Sequence, residues 1–141
     1  MNINGKHLHW QASVDRQGNF YFGSEREGTL GRDDIFIGSI GETTAVFPIS
    51  LGSPINSELH EGCPFVSPDG SYMVFQGRGL SVSFRKKDGT WGVPRTLGER
   101  FDGTCPYVSP DGKYLFFLKM GMGFNDVYWV DSKVLFQTKT K

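Results

Sequence analysis

Cys63-Pro64-Phe65-Val66-Ser67-Pro68-Asp69-Gly70-Ser71-Tyr72-Met73-Val74-Phe75-Gln76 returns 42 residues later as Cys105-Pro106-Tyr107-Val108-Ser109-Pro110-Asp111-Gly112-Lys113-Tyr114-Leu115-Phe116-Phe117-Leu118, with nine of fourteen positions identical. A decayed copy lies upstream in Ala12-Ser13-Val14-Asp15-Arg16-Gln17-Gly18-Asn19-Phe20-Tyr21-Phe22, and its Gly18 precedes Gly70 by 52 residues. A period near 42 residues with several strands per unit is the signature of propeller blades. Each unit reads as four strands, placed in the second unit at about Cys63–Ser67, Ser71–Gln76, Leu80–Arg85 and Trp91–Leu97.

Turn chemistry supports this division. In Ser-Pro-Asp-Gly, proline presets φ, aspartate caps its own turn and glycine takes the positive-φ position that reverses the chain. Lys87-Asp88-Gly89-Thr90 is a second hairpin signal, between the third and fourth strands. Tyr114-Leu115-Phe116-Phe117-Leu118 is apolar at consecutive positions, which predicts a strand buried on both faces. Leu80, Val82 and Phe84 alternate with Ser81 and Ser83, as suits a strand nearer the outside of a blade.

Composition excludes the main alternatives. Nineteen glycines and seven prolines punctuate 141 residues, and the glycine share is nearly twice the ~7% of average proteins. Only Lys6–Gln17 and Phe124–Lys141 run beyond ten residues without either, and neither repeats apolar residues at helical intervals. Twelve Phe, five Tyr and three Trp join the β-branched residues in favouring short strands. Fifteen basic and fifteen acidic side chains cancel, so no bulk field steers nucleic acid or an anionic membrane toward the chain. No apolar run approaches the ~18 residues of a membrane span. Met1–Lys6 lacks the charged leader and apolar stretch of a secretory signal. Two cysteines without a C-x-x-C pair are too few for a disulfide framework.

Ser-Pro-Asp-Gly followed by an aromatic-rich strand resembles the TolB-type, WD40-like β-propeller repeat. So does Tyr21-Phe22-Gly23-Ser24-Glu25-Arg26-Glu27-Gly28 leading to Asp34-Ile35-Phe36, with Asn125-Asp126-Val127-Tyr128 as its counterpart in the third unit. Leu51-Gly52 through Ile55-Asn56-Ser57 resembles the family's inter-blade connection, and the likeness covers roughly residues 10–135. The first unit departs with Asp15-Arg16-Gln17-Gly18 in place of the tetrad, and the second reads Ser81-Val82-Ser83-Phe84 where an Asp-aromatic pair belongs. The resemblance implies a periplasmic or secreted location. Related repeats form the non-catalytic propellers of serine peptidases and the whole fold of some oligogalacturonide lyases.

The expected fold is therefore all-β: a β-propeller segment of three four-stranded antiparallel blades, at about 8–50, 63–97 and 105–137, in a single domain over 1–141. Propellers close with four to eight blades, so three leave an incomplete ring. At ~25 cal/mol per Å², a bare apolar face at each end would forfeit on the order of 10 kcal/mol. Cover is expected from missing upstream blades or from a homodimer closing a six-bladed ring, and the missing leader fits a chain without its N-terminal part.

An up-and-down sheet alternates its connections between two rims. The Ser-Pro-Asp-Gly turns and Lys87–Thr90 share one, which is short and stereotyped. The loops between second and third strands and the inter-blade connections share the other, which varies in length and charge and suits binding. Binding residues are accordingly expected among Arg26, Arg32, Asn56, His60, Glu61, Arg78, Arg100, Asp102 and Asn125.

Other features have structural explanations. Turn capping accounts for Asp69 and Asp111, and hydrogen bonds to nearby backbone for Asp34 and Asp126. His7, His9 and His60 form no zinc-ligand spacing with the cysteines. Cys63 and Cys105 occupy equivalent blade positions, normally too far apart for disulfide geometry, so small buried side chains are expected. Gly121-Met122-Gly123-Phe124 and Gly28-Thr29-Leu30-Gly31 do not lie between a strand and a helix, as a phosphate loop would. Asp88-Gly89-Thr90-Trp91 fails to match a sialidase Asp-box, and Trp10, Trp91 and Trp129 are expected to anchor blade packing. Neither a catalytic constellation nor a cofactor site stands out. The expected function is a non-enzymatic propeller scaffold for protein or small-ligand binding, its rival part of a propeller hydrolase or lyase acting on carbohydrate or peptide.

Overall fold

A computed structural model describes residues 9–39, 47–120 and 125–137. The first sheet comprises β1 (His9–Val14), β2 (Asn19–Ser24), β3 (Asp34–Ser39) and β4 (Ile49–Ser50). The second comprises β5 (Gly62–Val66), β6 (Tyr72–Gly77), β7 (Gly79–Phe84) and β8 (Arg95–Thr96). The third comprises β9 (Thr104–Val108), β10 (Tyr114–Met120) and β11 (Asn125–Asp131), three strands among the described residues. Every sheet is an antiparallel meander in chain order, and none closes into a barrel. First strand packs against first strand, β1 on β5 and β5 on β9, so the sheets succeed one another in a propeller-like, all-β arrangement.

The turns form as their residues require. Asp69 Oδ1 accepts hydrogen bonds from Ser67 Oγ (2.7 Å), Ser71 N (3.0 Å) and Ser71 Oγ (2.7 Å), while Gly70 sits at φ 71°. Asp111 repeats this with Ser109 Oγ (2.6 Å) and Lys113 N (3.1 Å). In the decayed copy, Asp15 Oδ1 accepts from Gln17 N and Asn19 N, each at 3.0 Å, so the carboxylate holds the turn without the proline. The fourth strand of the second unit is shorter than expected. Trp91 makes only an isolated bridge with Arg85, and β8 is confined to Arg95–Thr96. Gly92 and Pro94 explain the interruption, since neither favours a continuous ladder. In the third unit the chain after β11 turns into a 3-10 segment, Ser132–Leu135.

Alternation along β6 builds two cores. Met73 and Phe75 face the first sheet and pack with Tyr21, Ile35, Ile55, Val66 and Trp91. Val74 faces the third sheet, joining Phe65, Leu80, Val82, Val108, Leu115 and Phe117. Full burial of such side chains contributes about 1.5–3 kcal/mol each. Polar contacts reinforce the first interface, where Val66 N donates to Ser13 Oγ (2.9 Å) and Arg85 Nη2 to the Tyr21 hydroxyl (2.5 Å).

The two ends differ. Along β10, Leu115 and Phe117 are buried, whereas Tyr114 and Phe116 face the other way, beside the 63%-exposed Trp129 of β11. That strand is thus covered on one face only, not on the expected two. At the opposite end, Phe20, Phe22 and Phe36 are buried and stacked, with the Arg26 guanidinium 5.0 Å from the Phe22 centroid and 5.2 Å from that of Phe36. The first sheet is therefore not bare at these three positions, where ring stacking and a cation–π contact add to the packing.

Trp91 is buried and meets Tyr21 edge-on, as a packing anchor should, but Trp129 is not such an anchor. The sulfurs of Cys63 and Cys105 lie 3.6 Å apart, with Cys63 buried and Cys105 half-buried.

Candidate functional site

Backbone and buried polar side chains first build a rim between the first two sheets. Asn56 imitates a strand partner, accepting from Ile35 N (2.8 Å) and donating to Ile35 O and Ser50 Oγ (2.9 Å each). Asp34 accepts from Leu30 N (3.0 Å), Gly31 N (3.4 Å) and Ser50 Oγ (3.1 Å), drawing the β2–β3 loop onto the same hub. Glu61 accepts from Ser57 N (2.9 Å) and Ser57 Oγ (2.6 Å), closing the inter-blade connection on itself. The two segments then pair in parallel at Asp33 and His60, with Arg32 N on Leu59 O and Glu61 N on Asp33 O at 2.9 Å each.

This frame presents an Asp–His pair. The Asp33 carboxylate is buried, at 3% exposure for the residue, and its Oδ2 meets His60 Nδ1. Its Oδ1 has no hydrogen-bond partner among the described residues. The His60 side chain is 38% exposed. Holding Nδ1 in this way orients an imidazole and leaves Nε2 for a ligand or a proton.

His60 lines a hollow of about 430 Å³ together with Arg32, Glu58, Leu59, Gly77 and Arg78. Arg78, at the tip between β6 and β7, also lines a second hollow of about 740 Å³ with Thr96, Glu99, Arg100 and Asp102. Gly79 permits this tip at φ 70°, and a Cβ there would lie 3.8 Å from Asp102 Cα. The Arg100 guanidinium rests 4.6 Å from the Phe101 ring centroid. Three guanidinium groups and one imidazole thus line adjoining hollows, where planar forks suit carboxylate or phosphate oxygens. Glu58 lines the first hollow, and Glu99 and Asp102 line the second, beside the arginines.

Of the nine residues expected to bind, Arg32, His60 and Arg78 line one hollow, and Arg78, Arg100 and Asp102 the other. Asn56 and Glu61 are buried, and their side chains hold loops. Arg26 lies over the phenylalanine stack, with Nε donating to Ser24 Oγ (3.2 Å), and burial lowers its pKa. Asn125 opens β11 and lines neither hollow. Asp33 is the member that sequence reasoning missed. The doublet Asp33-Asp34 was its signal: one carboxylate serves the loop hub, leaving its neighbour to point across to His60.

Among the described residues, no three His, Cys, Asp or Glu side chains group to hold a metal ion, and no helix is long and apolar enough to cross a membrane. His7 and Gly121-Met122-Gly123-Phe124 lie outside the described residues. Comparison with known proteins finds no matching family model and no matching curated relative.

Proposed function

We propose that the chain is a propeller repeat module of the TolB-like, WD40-like type whose loop rim binds a small anionic ligand without turning it over. The 42-residue repeat and the meander sheets support the module. The observation that carries the ligand class is the presence of Arg32, Arg78 and Arg100, with His60, in the linings of two hollows that share Arg78. Guanidinium groups on rigid turns recognise carboxylate or phosphate through paired hydrogen bonds. Isothermal titration against phosphate, di- and tricarboxylates and acidic oligosaccharides tests this. Saturable binding that R78A weakens at least tenfold is expected, since Arg78 serves both hollows, while R26A leaves it unchanged. Silence across the panel, or equal loss in R26A and R78A, defeats the reading.

A second reading, part of a propeller hydrolase or lyase on carbohydrate or peptide, draws on the Asp33–His60 pair. A buried carboxylate on Nδ1 of a half-exposed histidine is the arrangement of a general base. Turnover of acidic oligosaccharides or peptides, abolished in H60A with binding retained, would favour it over simple binding.

A further inference from the structure

All three sheets carry the same irregularity in their first strand. The register slips by one residue between Trp10 and Ala12 in β1, between Gly62 and Phe65 in β5, and between Thr104 and Tyr107 in β9. The residues concerned, Gln11, Cys63 and Cys105, each stand seven positions before a turn glycine, Gly18, Gly70 or Gly112. A bulge of this kind re-aims a side chain and is frequent beside functional sites. In the second and third sheets it does more. Cys63 (φ 46°) and Cys105 (φ 52°) are the non-glycine residues with positive φ among the described residues. A Cβ disfavours that region, and each cysteine also precedes a proline, which restricts it further. Strain repeated at matched positions marks a place where tertiary structure holds side chains for a purpose.

The two strained residues converge. Cys63 Sγ and Cys105 Sγ are 3.6 Å apart, and both thiols are free. Thr104 Oγ1 lies 3.5 Å from the first and 3.6 Å from the second, and 2.5 Å from Gln76 Oε1. Cys63 is buried and Cys105 half-buried. We propose that Cys63 and Cys105 form a dithiol site, which low-molecular-weight disulfides oxidise to a disulfide locking the second sheet to the third. This site is distinct from the rim hollows and independent of what binds there.

The chemistry balances with a small disulfide as oxidant. The Cys105 thiolate attacks one sulfur of the reagent, forming a mixed disulfide and expelling one thiolate. The Cys63 thiolate then attacks the Cys105 sulfur, forming the internal bond and expelling the second. The protein loses two protons and two electrons, and the reagent becomes two thiols. Cys105 is the more exposed of the two thiols and so the one a reagent in solution reaches first, while burial raises the pKa of the Cys63 thiol, with the Thr104 hydroxyl partly opposing it. The sulfurs, 3.6 Å apart, must close by about 1.5 Å to reach bonding distance.

The folded protein incubated with oxidised glutathione decides the matter. Intact mass should fall by two hydrogens, and a non-reduced peptide map should join Cys63 to Cys105. The melting midpoint should rise by roughly 10 °C, because a 42-residue loop becomes closed. C63S should stall with one glutathione on Cys105, and C105S should react at least tenfold more slowly. Wild-type protein that keeps glutathione, forms disulfide-linked dimers or retains two alkylatable thiols would overturn the proposal. Should either serine variant misfold, the wild-type peptide map still discriminates these outcomes.

Discussion

Gly31 and Leu59 touch backbone to backbone: a Cβ on Gly31 would fall 2.0 Å from the Leu59 carbonyl oxygen and 2.8 Å from Ser57 O. Space, rather than a special φ, is the reason for glycine here. The contact lets Arg32 N reach Leu59 O and brings Asp33 under His60. G31A should therefore push the two segments apart and destabilise the fold by about 1–3 kcal/mol in urea unfolding. It should also weaken anion binding on the rim. Wild-type stability together with wild-type binding would show that the loops are not coupled as described.

Arg85 ties the first sheet to the second. Its Nη2 donates to the Tyr21 hydroxyl at 2.5 Å, its Nε to Gly70 O at 2.9 Å, and its guanidinium lies 4.5 Å from the Trp91 ring centroid. R85A should cost about 2–3 kcal/mol, combining a charge-assisted hydrogen bond with a cation–π contact. R85K should recover only part, since an ammonium cannot bond both oxygens while stacking on the indole. Equal midpoints for R85K and wild type in denaturant titrations would argue against the stacked geometry.

Acid sensitivity should trace to the turns. Hydrogen bonds from Ser67 and then Ser71 lower the Asp69 carboxyl pKa from 3.8 to about 2. Its folded value lies below its unfolded value, so its contribution is complete above about pH 4 and is lost as pH falls toward 2. Asp88, Asp111 and Asp131 are lowered too, so they act in the same direction. D69N should flatten the stability profile over that interval without abolishing its slope. Acid-unfolding curves of identical shape for variant and wild type would contradict the assignment.

The tryptophans should separate by burial. W91A removes a 7%-exposed ring from the core between the first two sheets; about 3–5 kcal/mol should be lost. W129A removes a 63%-exposed ring whose described aromatic neighbour is Tyr114, at 5.2 Å between centroids; less than about 1 kcal/mol should be lost. Thermal or chemical unfolding of the pair checks this, and comparable losses would mean that the outer face of the third sheet is covered in solution.

Features set by near neighbours in the chain were legible without coordinates. Ser67-Pro68-Asp69-Gly70 contains its own donors, acceptor and positive-φ residue, so its turn could be read directly, and its recurrence divided the chain into sheets. The loop rim followed from the parity of a meander. Reading failed where a partner lay far away in the chain. Asp33 next to Asp34 gave little hint that only one would serve the local loop, and Asn56 looked like a ligand donor while acting as a substitute peptide for Ile35. The consecutive apolar residues of β10 could not say which face has a neighbour.

Periodicity and turn chemistry are local, so the amino-acid order alone determined the meander sheets, their succession and the rim that gathers the arginines. Tertiary packing decided the rest: the Asp33–His60 contact, the two hollows that share Arg78, and the meeting of Cys63 with Cys105. Those depend on how far one twisted sheet rotates and bulges against the next, a sum over many distant side chains that no short stretch of sequence contains.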